Sequence, residues 1–209
     1  MVSAGSDPQT ELVIPTSVKV LVAGGFGAGK TTLVGSVSEI PPLSTEELLT
    51  EAGEDVDDLA GVEGKTTTTV ALDFGRISIS TEIVLYLFGT PGQNRFWFMW
   101  DELANGAIGA IVLVDTRRLD SSFPSVDFFE RRKIPFVVAV NCFDGAHSYA
   151  PEEVRKALVL NPEVPVLMVD ARERESSKRA LVTLVEHVLA RMAESAGEDA
   201  ALVSPGNSV

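Results

Sequence analysis

Cysteine is almost absent from this chain, and so are long apolar runs. Its single cysteine, Cys142, excludes an intrachain disulfide and a zinc site built from cysteines. No run of about 18 apolar residues occurs, so we expect no transmembrane helix. The first residues lack a basic stretch followed by an apolar one, and Val2 excludes myristoylation. These absences predict a cytoplasmic protein with no direct membrane anchor, which leaves open recruitment to a membrane through a partner.

Positive charge is also scarce. The chain has 17 Lys and Arg residues against 30 Asp and Glu residues, which gives a net charge of −13. Contacts with nucleic-acid phosphates need Lys and Arg, and an anionic membrane surface would repel this chain, so we expect neither partner. Eight acidic residues and no basic residue lie within 44–64. Such a stretch is typical of a solvated surface loop.

The order of apolar runs and helical stretches predicts the fold class. The length of 209 residues suits one domain, and short apolar runs alternate with stretches of helical periodicity. This alternation predicts a single α/β domain, with a mostly parallel sheet of about six strands and helices on both faces. We expect a disordered leader over 1–16, the domain over 17–192, which includes a long acidic segment over 41–65, and a disordered tail over 193–209.

The predicted elements are as follows. The strands are Val18–Ala23, Thr66–Phe74, Glu82–Phe88, Ile108–Asp115, Pro135–Asn141 and Pro165–Asp170. The helices are Thr31–Ile40, Asn94–Leu103, Ser125–Lys133, Pro151–Leu160 and Ser176–Arg191. Gly75-Arg76 is expected to turn the hairpin between the second and third strands. Asp115 is expected to cap the segment after its strand, and Arg117-Arg118 to be solvated surface charge.

A phosphate-binding motif, G-x-x-x-x-G-K-[ST], follows the first predicted strand from Gly24 to Thr31. Glycines let successive backbone N–H groups surround an anion, and the helix that begins here adds its positive end. Lys30 is predicted to reach the β- and γ-phosphates, and Thr31 to offer its hydroxyl to Mg²⁺. The motif alone distinguishes neither ATP from GTP nor a kinase from a hydrolase. The predicted phosphate-binding residues are Gly25, Phe26, Gly27, Ala28, Gly29, Lys30, Thr31 and Thr32.

Four further segments occur in the order found in small Ras-like GTPases, and the resemblance extends from about Val18 to about residue 190. The segments are Thr69-Val70-Ala71-Leu72-Asp73-Phe74, Gly89-Thr90-Pro91-Gly92-Gln93, Asn141-Cys142-Phe143-Asp144 and Asp170-Ala171-Arg172. The stretches KTTTTVALDFG and LFGTPGQ resemble a bacterial branch, the MglA-type polarity GTPases and the actinobacterial conservon GTP-binding proteins of the CvnD type. The resemblance implies a P-loop NTPase with the Ras-like G-domain fold.

The first segment resembles the end of switch I, which would then be the acidic segment 41–65. The resemblance implies that Thr69 binds Mg²⁺ and senses the γ-phosphate. Because four threonines are consecutive, Thr68 is the alternative if the register is shifted by one. Without the phosphate-binding motif, these threonines would be read only as strand formers.

The second segment resembles the D-x-x-G-Q motif. The resemblance implies that Gly92 donates its N–H to the γ-phosphate and that Gln93 positions the attacking water. The implied catalytic residues are therefore Gln93, Lys30 and Thr69. Gly89 stands where the family has an aspartate that holds a magnesium water, which implies weaker Mg²⁺ binding.

The last two segments resemble the base-binding motifs N-K-x-D and S-A-K. The resemblance implies that Asp144 accepts from guanine N1–H and the exocyclic amine, and that Asn141 braces the site. Cys142 replaces a lysine whose stem covers the base, so we expect some loss of affinity. The Ala171 N–H would meet guanine O6, and Arg172 would stack on the base or be solvated.

These residues predict a GTP-binding switch that hydrolyses GTP slowly and controls partner binding in bacterial signalling. No arginine lies between Pro41 and Thr69 to act as a finger in cis, and Phe26 puts a bulky ring in the P-loop. The aromatic run after Gln93 is expected to expose Phe98 or Met99 as a nucleotide-dependent docking surface. The resemblance implies a roadblock-fold regulator of the MglB type.

Two other functions remain open. A scaffold that binds guanine nucleotides without hydrolysing them would suit the missing aspartate at Gly89 and the ring of Phe26. An ATP-using P-loop enzyme, such as a kinase or a partition ATPase, would need a different base site, and Asn141 and Asp144 argue against it.

Overall fold

The computed structural model describes the backbone of residues 14–41, 43–50, 67–92 and 98–202. Side chains are described over 14–41, 72–92 and 98–196. The strands are β1 (Thr16–Gly24), β2 (Leu43–Thr50), β3 (Thr67–Ser78), β4 (Ile83–Gly89), β5 (Ala107–Val114), β6 (Phe136–Asn141) and β7 (Val166–Val169). The helices are α1 (Lys30–Val37), α2 (Phe98–Ala104), α3 (Phe123–Arg132), α4 (Pro151–Ala157) and α5 (Arg174–Leu202). A 3₁₀ segment, Thr116–Ser122, joins β5 to α3.

The described strands form one sheet of seven, in the order β2-β3-β4-β1-β5-β6-β7. β1 pairs in parallel with β4 and β5, and the parallel order continues through β6 and β7. β3 pairs antiparallel with β2 and β4, at one end of the sheet. The prediction of a single α/β domain with a mostly parallel sheet is confirmed, and β2 is the strand beyond the expected six.

Two apolar layers cover the sheet, one on each face. Val20 and Val22 of β1 pack in the layer that contains residues of α1 and α5, whereas Leu21 and Ala23 pack in the layer that contains residues of α2, α3 and α4. All four side chains are fully buried. A strand that is covered on both faces is apolar at consecutive positions, which explains the uninterrupted apolar run at this strand. The prediction of helices on both faces is confirmed.

Regular structure extends into two segments that were expected to be irregular. The acidic segment was predicted to be a loop from residue 44, but Leu43–Thr50 pair with β3, so this prediction is wrong for β2. The acidic composition does not tell whether a segment pairs as a strand, because strand pairing uses backbone N–H and C=O groups, which acidic residues have like any others. Residues 51–66 lie outside the described part of the chain.

The predicted disordered tail from 193 is likewise wrong as far as residue 202. Helix α5 continues to Leu202, and residues 203–209 lie outside the described part. The added turns are rich in alanine and glutamate, which favour helix without needing an apolar stripe. At the other end, β1 begins at Thr16, within the expected leader, and residues 1–13 are not among those described.

The hairpin between β3 and β4 lies further along the chain than expected. β3 continues past Gly75-Arg76 to Ser78, which pairs with Val84, so the turn does not lie at Gly75. A Cβ at Gly75 would come within 2.7 Å of Val34 Cγ1, so this glycine allows close packing against α1.

Among the described helices, none combines the length and apolar character that crossing a membrane requires.

Candidate nucleotide-binding site

The functional segments meet at one edge of the sheet because β1, β4, β5, β6 and β7 run parallel. Gly25 follows β1, Thr90 follows β4, Asp115 follows β5, Cys142 follows β6 and Asp170 follows β7. The carboxyl ends of parallel strands are where open α/β sheets bind ligands. A cavity of about 370 Å³ opens here, between the P-loop on one side and the loops after β6 and β7 on the other.

The ammonium of Lys30 is held inside the P-loop. Its Nζ donates to the carbonyl oxygens of Gly24 at 2.9 Å and Gly25 at 2.8 Å, and the residue is only 9% exposed. Burial lowers the pKa of Lys30 to about 8, although the nearby Asp73 carboxylate acts in the opposite direction. The loop thus holds a partly desolvated cation where the sequence predicts phosphate binding.

Asn141 connects the two sides of the cavity. Its side-chain Nδ2 donates to the Ala28 carbonyl oxygen at 2.9 Å, and its Oδ1 accepts from the Ala171 N–H at 3.0 Å. The residue is buried, so this one amide ties the P-loop to the loop after β7. The Ala171 N–H was expected to meet guanine O6, but it is directed at Asn141 instead. The expectation missed this because the two residues are 30 positions apart.

Asp73 is a site residue that sequence reasoning missed. The Thr31 hydroxyl donates to Asp73 Oδ2 at 2.7 Å, and Asp73 is only 9% exposed. A Cβ on Gly89 would lie 2.9 Å from the same carboxylate oxygen, so Asp73 fills the space into which an aspartate at 89 would extend. The signal was present, since Asp73 is the acid of the T-x-x-x-D-F segment. A hydroxyl and a carboxylate are hard oxygen donors, which fit Mg²⁺.

Gly92 lies against the mouth of the P-loop. A Cβ at this position would come within 2.7 Å of Lys30 Nζ and 2.9 Å of the Phe26 backbone nitrogen, so a side chain would collide with both. The indole Nε1 of buried Trp100 donates to the Pro91 carbonyl oxygen at 3.3 Å. Helix α2 is thereby joined to the segment that approaches the P-loop.

At the far side of the cavity, acidic and basic side chains bind one another. Arg172 donates to both oxygens of Asp144, at 2.6 and 3.1 Å, and to both oxygens of Asp170, at 2.9 and 2.7 Å. These bonds lower the pKa of Asp144, lower the pKa of Asp170 to about 2 and raise the pKa of Arg172. Arg172 therefore is not merely solvated, because two carboxylates bind it at the edge of the cavity; its expected stacking on a base stays a prediction.

Arg117 and Phe143 line the cavity beside exposed Cys142. The Arg117 guanidinium lies 3.7 Å from the centroid of the Phe143 ring and donates twice to Asp115, at 2.8 Å each. Asp115 also accepts from the Arg117 backbone N–H at 3.0 Å, so the prediction that it caps the next segment is confirmed. Arg117 is exposed, as expected of solvated charge, but its guanidinium is also bound by a buried carboxylate and an aromatic face, which the sequence did not predict.

The remaining predicted residues are placed as follows. Phe26 is 66% exposed, and Thr32 is exposed on α1. Gln93 lies outside the described residues. Of Thr68 and Thr69 the structure describes only the backbone, within β3, opposite β2. The catalytic roles expected of these last three residues stay predictions.

The chain is similar in sequence to an archaeal protein and to a human protein. The uncharacterized protein MJ1339 of Methanocaldococcus jannaschii is 31% identical over 129 residues, which cover 61% of this chain and 71% of that protein. The human Ras-related protein Rab-7b is 24% identical over 184 residues, 83% of each chain.

Solved structures of the FeoB iron transporter of T. maritima share the fold. Its cytosolic domain in apo form superposes with a TM-score of 0.58 at 18% identity, over 83% of this chain and 64% of that chain. This chain therefore spans less than two thirds of that domain's length. The FeoB G domain superposes with a TM-score of 0.54 at 20% identity, over 83% and 98%. The structure thus has the fold of a G domain.

A family model matches residues 22–191, from within β1 to within α5, and so includes every loop at the cavity. The matched region includes the P-loop, the Asn141 link and the paired charges around Arg172. Since it covers most of the chain, this protein belongs to the family described as "Conserved hypothetical ATP binding protein".

Proposed function

We propose that this protein binds a guanine nucleotide with Mg²⁺ and acts as a molecular switch that hydrolyses GTP slowly. The observation that carries the proposal is the Asn141 link between Ala28 and Ala171. Through this link the P-loop and the carboxylate of Asp144 face one cavity, so a single nucleotide can contact both.

The phosphate side supports binding of a polyphosphate with a divalent ion. The Lys30 ammonium lies in the P-loop, and Gly92 lies beside it. From there the Gly92 N–H can reach a terminal phosphate. Mg²⁺ would neutralise charge between the β- and γ-phosphates. Thr31 would bind the Mg²⁺ directly, and Asp73 would bind it through a water. Asp73 would thus replace the aspartate that the family has at the position of Gly89.

Slow hydrolysis is expected because the site has few groups that would stabilise the transition state of GTP hydrolysis. Gln93 would position the water, and Lys30 and Thr69 would stabilise charge on the γ-phosphate. The acidic segment before Thr69 contains no arginine and has Lys65 as its single cation, so it supplies no arginine finger from this side. Turnover is therefore proposed to depend on a partner.

Asp144 supports recognition of guanine. Two N–H donors side by side, at N1 and at the exocyclic amine, match the two oxygens of a carboxylate, whereas adenine presents an acceptor at N1. In the structure these oxygens accept from the Arg172 guanidinium, which is also a fork of two parallel N–H donors. Guanine would displace Arg172 or share Asp144 with it, and we propose that this competition makes base discrimination weak.

ATP binding is the second candidate. Two observations favour it besides the family description: Asp144 is already paired with Arg172, and the Ala171 N–H is already bonded to Asn141. These bonds leave few free groups for a guanine. The third candidate, a scaffold without hydrolysis, is supported by Gly89 and by the exposed ring of Phe26.

One experiment separates the three functions. Fluorescent GDP, GTP and ATP are titrated with and without Mg²⁺, and phosphate release is then followed in a single turnover. We expect GDP and GTP to bind more tightly than ATP and phosphate to appear slowly. Tighter ATP binding would favour the second candidate, and bound GTP without any release would favour the third. A rate near 1 s⁻¹ without a partner, in order of magnitude, would contradict slow hydrolysis.

The base assignment has its own test, Asp144→Asn. An asparagine amide donates where xanthine has a carbonyl in place of the guanine amine, so preference should move from guanine toward xanthine. Asp127→Asn, on the exposed face of α3, is the matched control and should leave the preference unchanged. If the Asp144 variant keeps its guanine preference, the assignment is wrong.

We further propose that the switch belongs to bacterial signalling, in the cytoplasm, close to the MglA and CvnD types, with a roadblock-fold regulator. Phe98 is 63% exposed on α2, which supports a docking surface there. Trp100 connects the same helix to Pro91, so the surface can follow the nucleotide state. Tryptophan fluorescence of the GDP and GTP forms should differ in a Trp97→Phe variant, which leaves Trp100 as the reporter. Identical spectra would contradict this coupling.

A further inference from the structure

The 3₁₀ segment after β5 packs directly against the P-loop. A Cβ on Gly25 would come within 2.3 Å of Ser121 Oγ, and a Cβ on Gly27 within 2.8 Å of Arg118 Nη2. The segment thus packs so closely on the P-loop that a side chain at Gly25 would collide with Ser121 and one at Gly27 would displace the Arg118 guanidinium.

Arg118 is held in place at this contact. Its Nη2 donates to the Phe26 carbonyl oxygen at 3.0 Å and lies 3.6 Å from the buried Asp115 carboxylate. Its own backbone is fixed at both ends, since its N–H donates to the Asp115 carbonyl at 2.9 Å and its carbonyl accepts from Ser121 Oγ at 2.7 Å. The backbone angles of φ −144° and ψ 57° interrupt the helical segment at this residue.

The hydrogen bond to Phe26 has a consequence for the next N–H of the loop. The Phe26 carbonyl and the Gly27 N–H belong to one planar peptide, and no cis peptide occurs in the described part of the chain, so the two groups point in opposite directions. Because Arg118 holds the carbonyl, the Gly27 N–H is turned away from the 3₁₀ segment, and Gly27 lines the cavity. A cation on the carbonyl also polarises the peptide and strengthens its N–H as a donor.

We propose that Arg118 is a positioning residue for phosphate, which orients the Phe26–Gly27 peptide and adds positive charge to the P-loop. This inference rests on the proposed binding of a nucleotide polyphosphate. Lys30 and Asn141 hold other carbonyls of the same loop, so Arg118 completes a set of side chains that bind loop carbonyls. The neighbouring Arg117 has a different role, because its guanidinium is bound by Asp115 and Phe143.

The test compares Arg118→Met, Arg118→Lys and the control Arg131→Met, which removes an exposed arginine on α3. GDP and tripolyphosphate are each titrated by calorimetry at several salt concentrations. We expect Arg118→Met to weaken both at least about threefold, since its guanidinium is 54% exposed and water screens part of its charge, and to reduce the salt dependence. Arg118→Lys should recover most of the affinity, the control should match wild type, and unfolding without ligand should be little changed.

Three results would overturn the inference: wild-type affinity in Arg118→Met, an equal loss in the Arg131 control, or a loss that Arg118→Lys does not recover. Tripolyphosphate separates this inference from the proposed function, because it carries no base. If wild type binds tripolyphosphate but neither GDP nor ATP, the nucleotide function fails while Arg118 is still tested. If wild type binds none of the three, both fail.

Discussion

The two ends of the cavity differ in how their polar groups are held. At the proposed phosphate end, Lys30, Arg118 and Asn141 bind carbonyl oxygens of the P-loop. At the proposed base end, Asp144 and Arg172 bind one another. The first arrangement orients a loop for an anion, whereas the second must give up internal hydrogen bonds before it can take a base.

Burial adds to this difference. Lys30 and Asn141 are buried, whereas the side chain of Arg118 is 54% exposed and those of Asp144 and Arg172 are 84% and 55% exposed. Exposed ion pairs contribute little, because water screens them and competes for their hydrogen bonds. The comparison therefore predicts that the phosphate end supplies most of the affinity for a nucleotide and that the base end supplies only modest selectivity.

The largest effect is expected from Lys30→Met, which removes the buried cation. Binding of GDP and of tripolyphosphate should weaken by about a hundredfold or more, since a charged donor to phosphate is lost. Thermal stability should hold or rise, because the lowered pKa of Lys30 shows that burial disfavours its charge. Calorimetry and thermal unfolding measure the two quantities, with Lys178→Met on α5 as the control. Affinity within threefold of wild type, roughly, would refute the dominance of the phosphate end.

A second test removes or relocates the carboxylate beside Thr31, where we propose that Mg²⁺ binds. Mg²⁺ should raise the GTP affinity of Asp73→Ala about tenfold less than it raises that of wild type. The reason is that Thr31 loses the one acid that it contacts among the described residues. Gly89→Asp alone should destabilise the fold, since its Cβ would lie 2.9 Å from the Asp73 carboxylate. The double variant should recover stability and Mg²⁺ dependence together. Additive effects of the two changes would show that the positions do not share one space.

The pH dependence of binding is a third, smaller test of the phosphate end. With a pKa of about 8, the Lys30 ammonium is mostly protonated at pH 7 and mostly neutral at pH 8.5. Phosphate binding needs the charged form, so GDP affinity should fall about fourfold between these values, with proton uptake at the higher pH. Calorimetry in two buffers of different ionisation enthalpy measures that uptake. A flat profile would mean that the ammonium stays charged in the free protein.

The smallest effect is expected at the base end, from Arg172→Gln. Removal of the competing guanidinium should raise GDP affinity about threefold and leave ATP affinity unchanged, as befits an exposed pair. Arg174→Gln, two residues further on, is the control. A loss of GDP affinity would instead mean that Arg172 supports Asp144 while guanine is bound.

Patterns of consecutive residues predict which strands and helices form. They predict less well the residues at which those strands and helices begin and end. The P-loop motif and the apolar runs are local, so they predicted the α/β fold without knowledge of any contact. Acidic composition predicted a loop where β2 forms. The predicted last helix ended at Arg191, whereas α5 continues to Leu202. At the site, Asp115 was assigned correctly because a cap acts on its own neighbours.

The sequence by itself determined that a loop with the phosphate-binding motif lies between a buried strand and a helix, because strand periodicity, glycines and Lys30 are all local features. Only the tertiary structure decided which distant groups complete the site. Thr31 meets Asp73 across 42 positions, Arg118 meets Phe26 across 92, and Arg172 meets Asp144 across 28. Such pairs depend on which strands lie side by side in the sheet, and the order of residues along a chain does not state that.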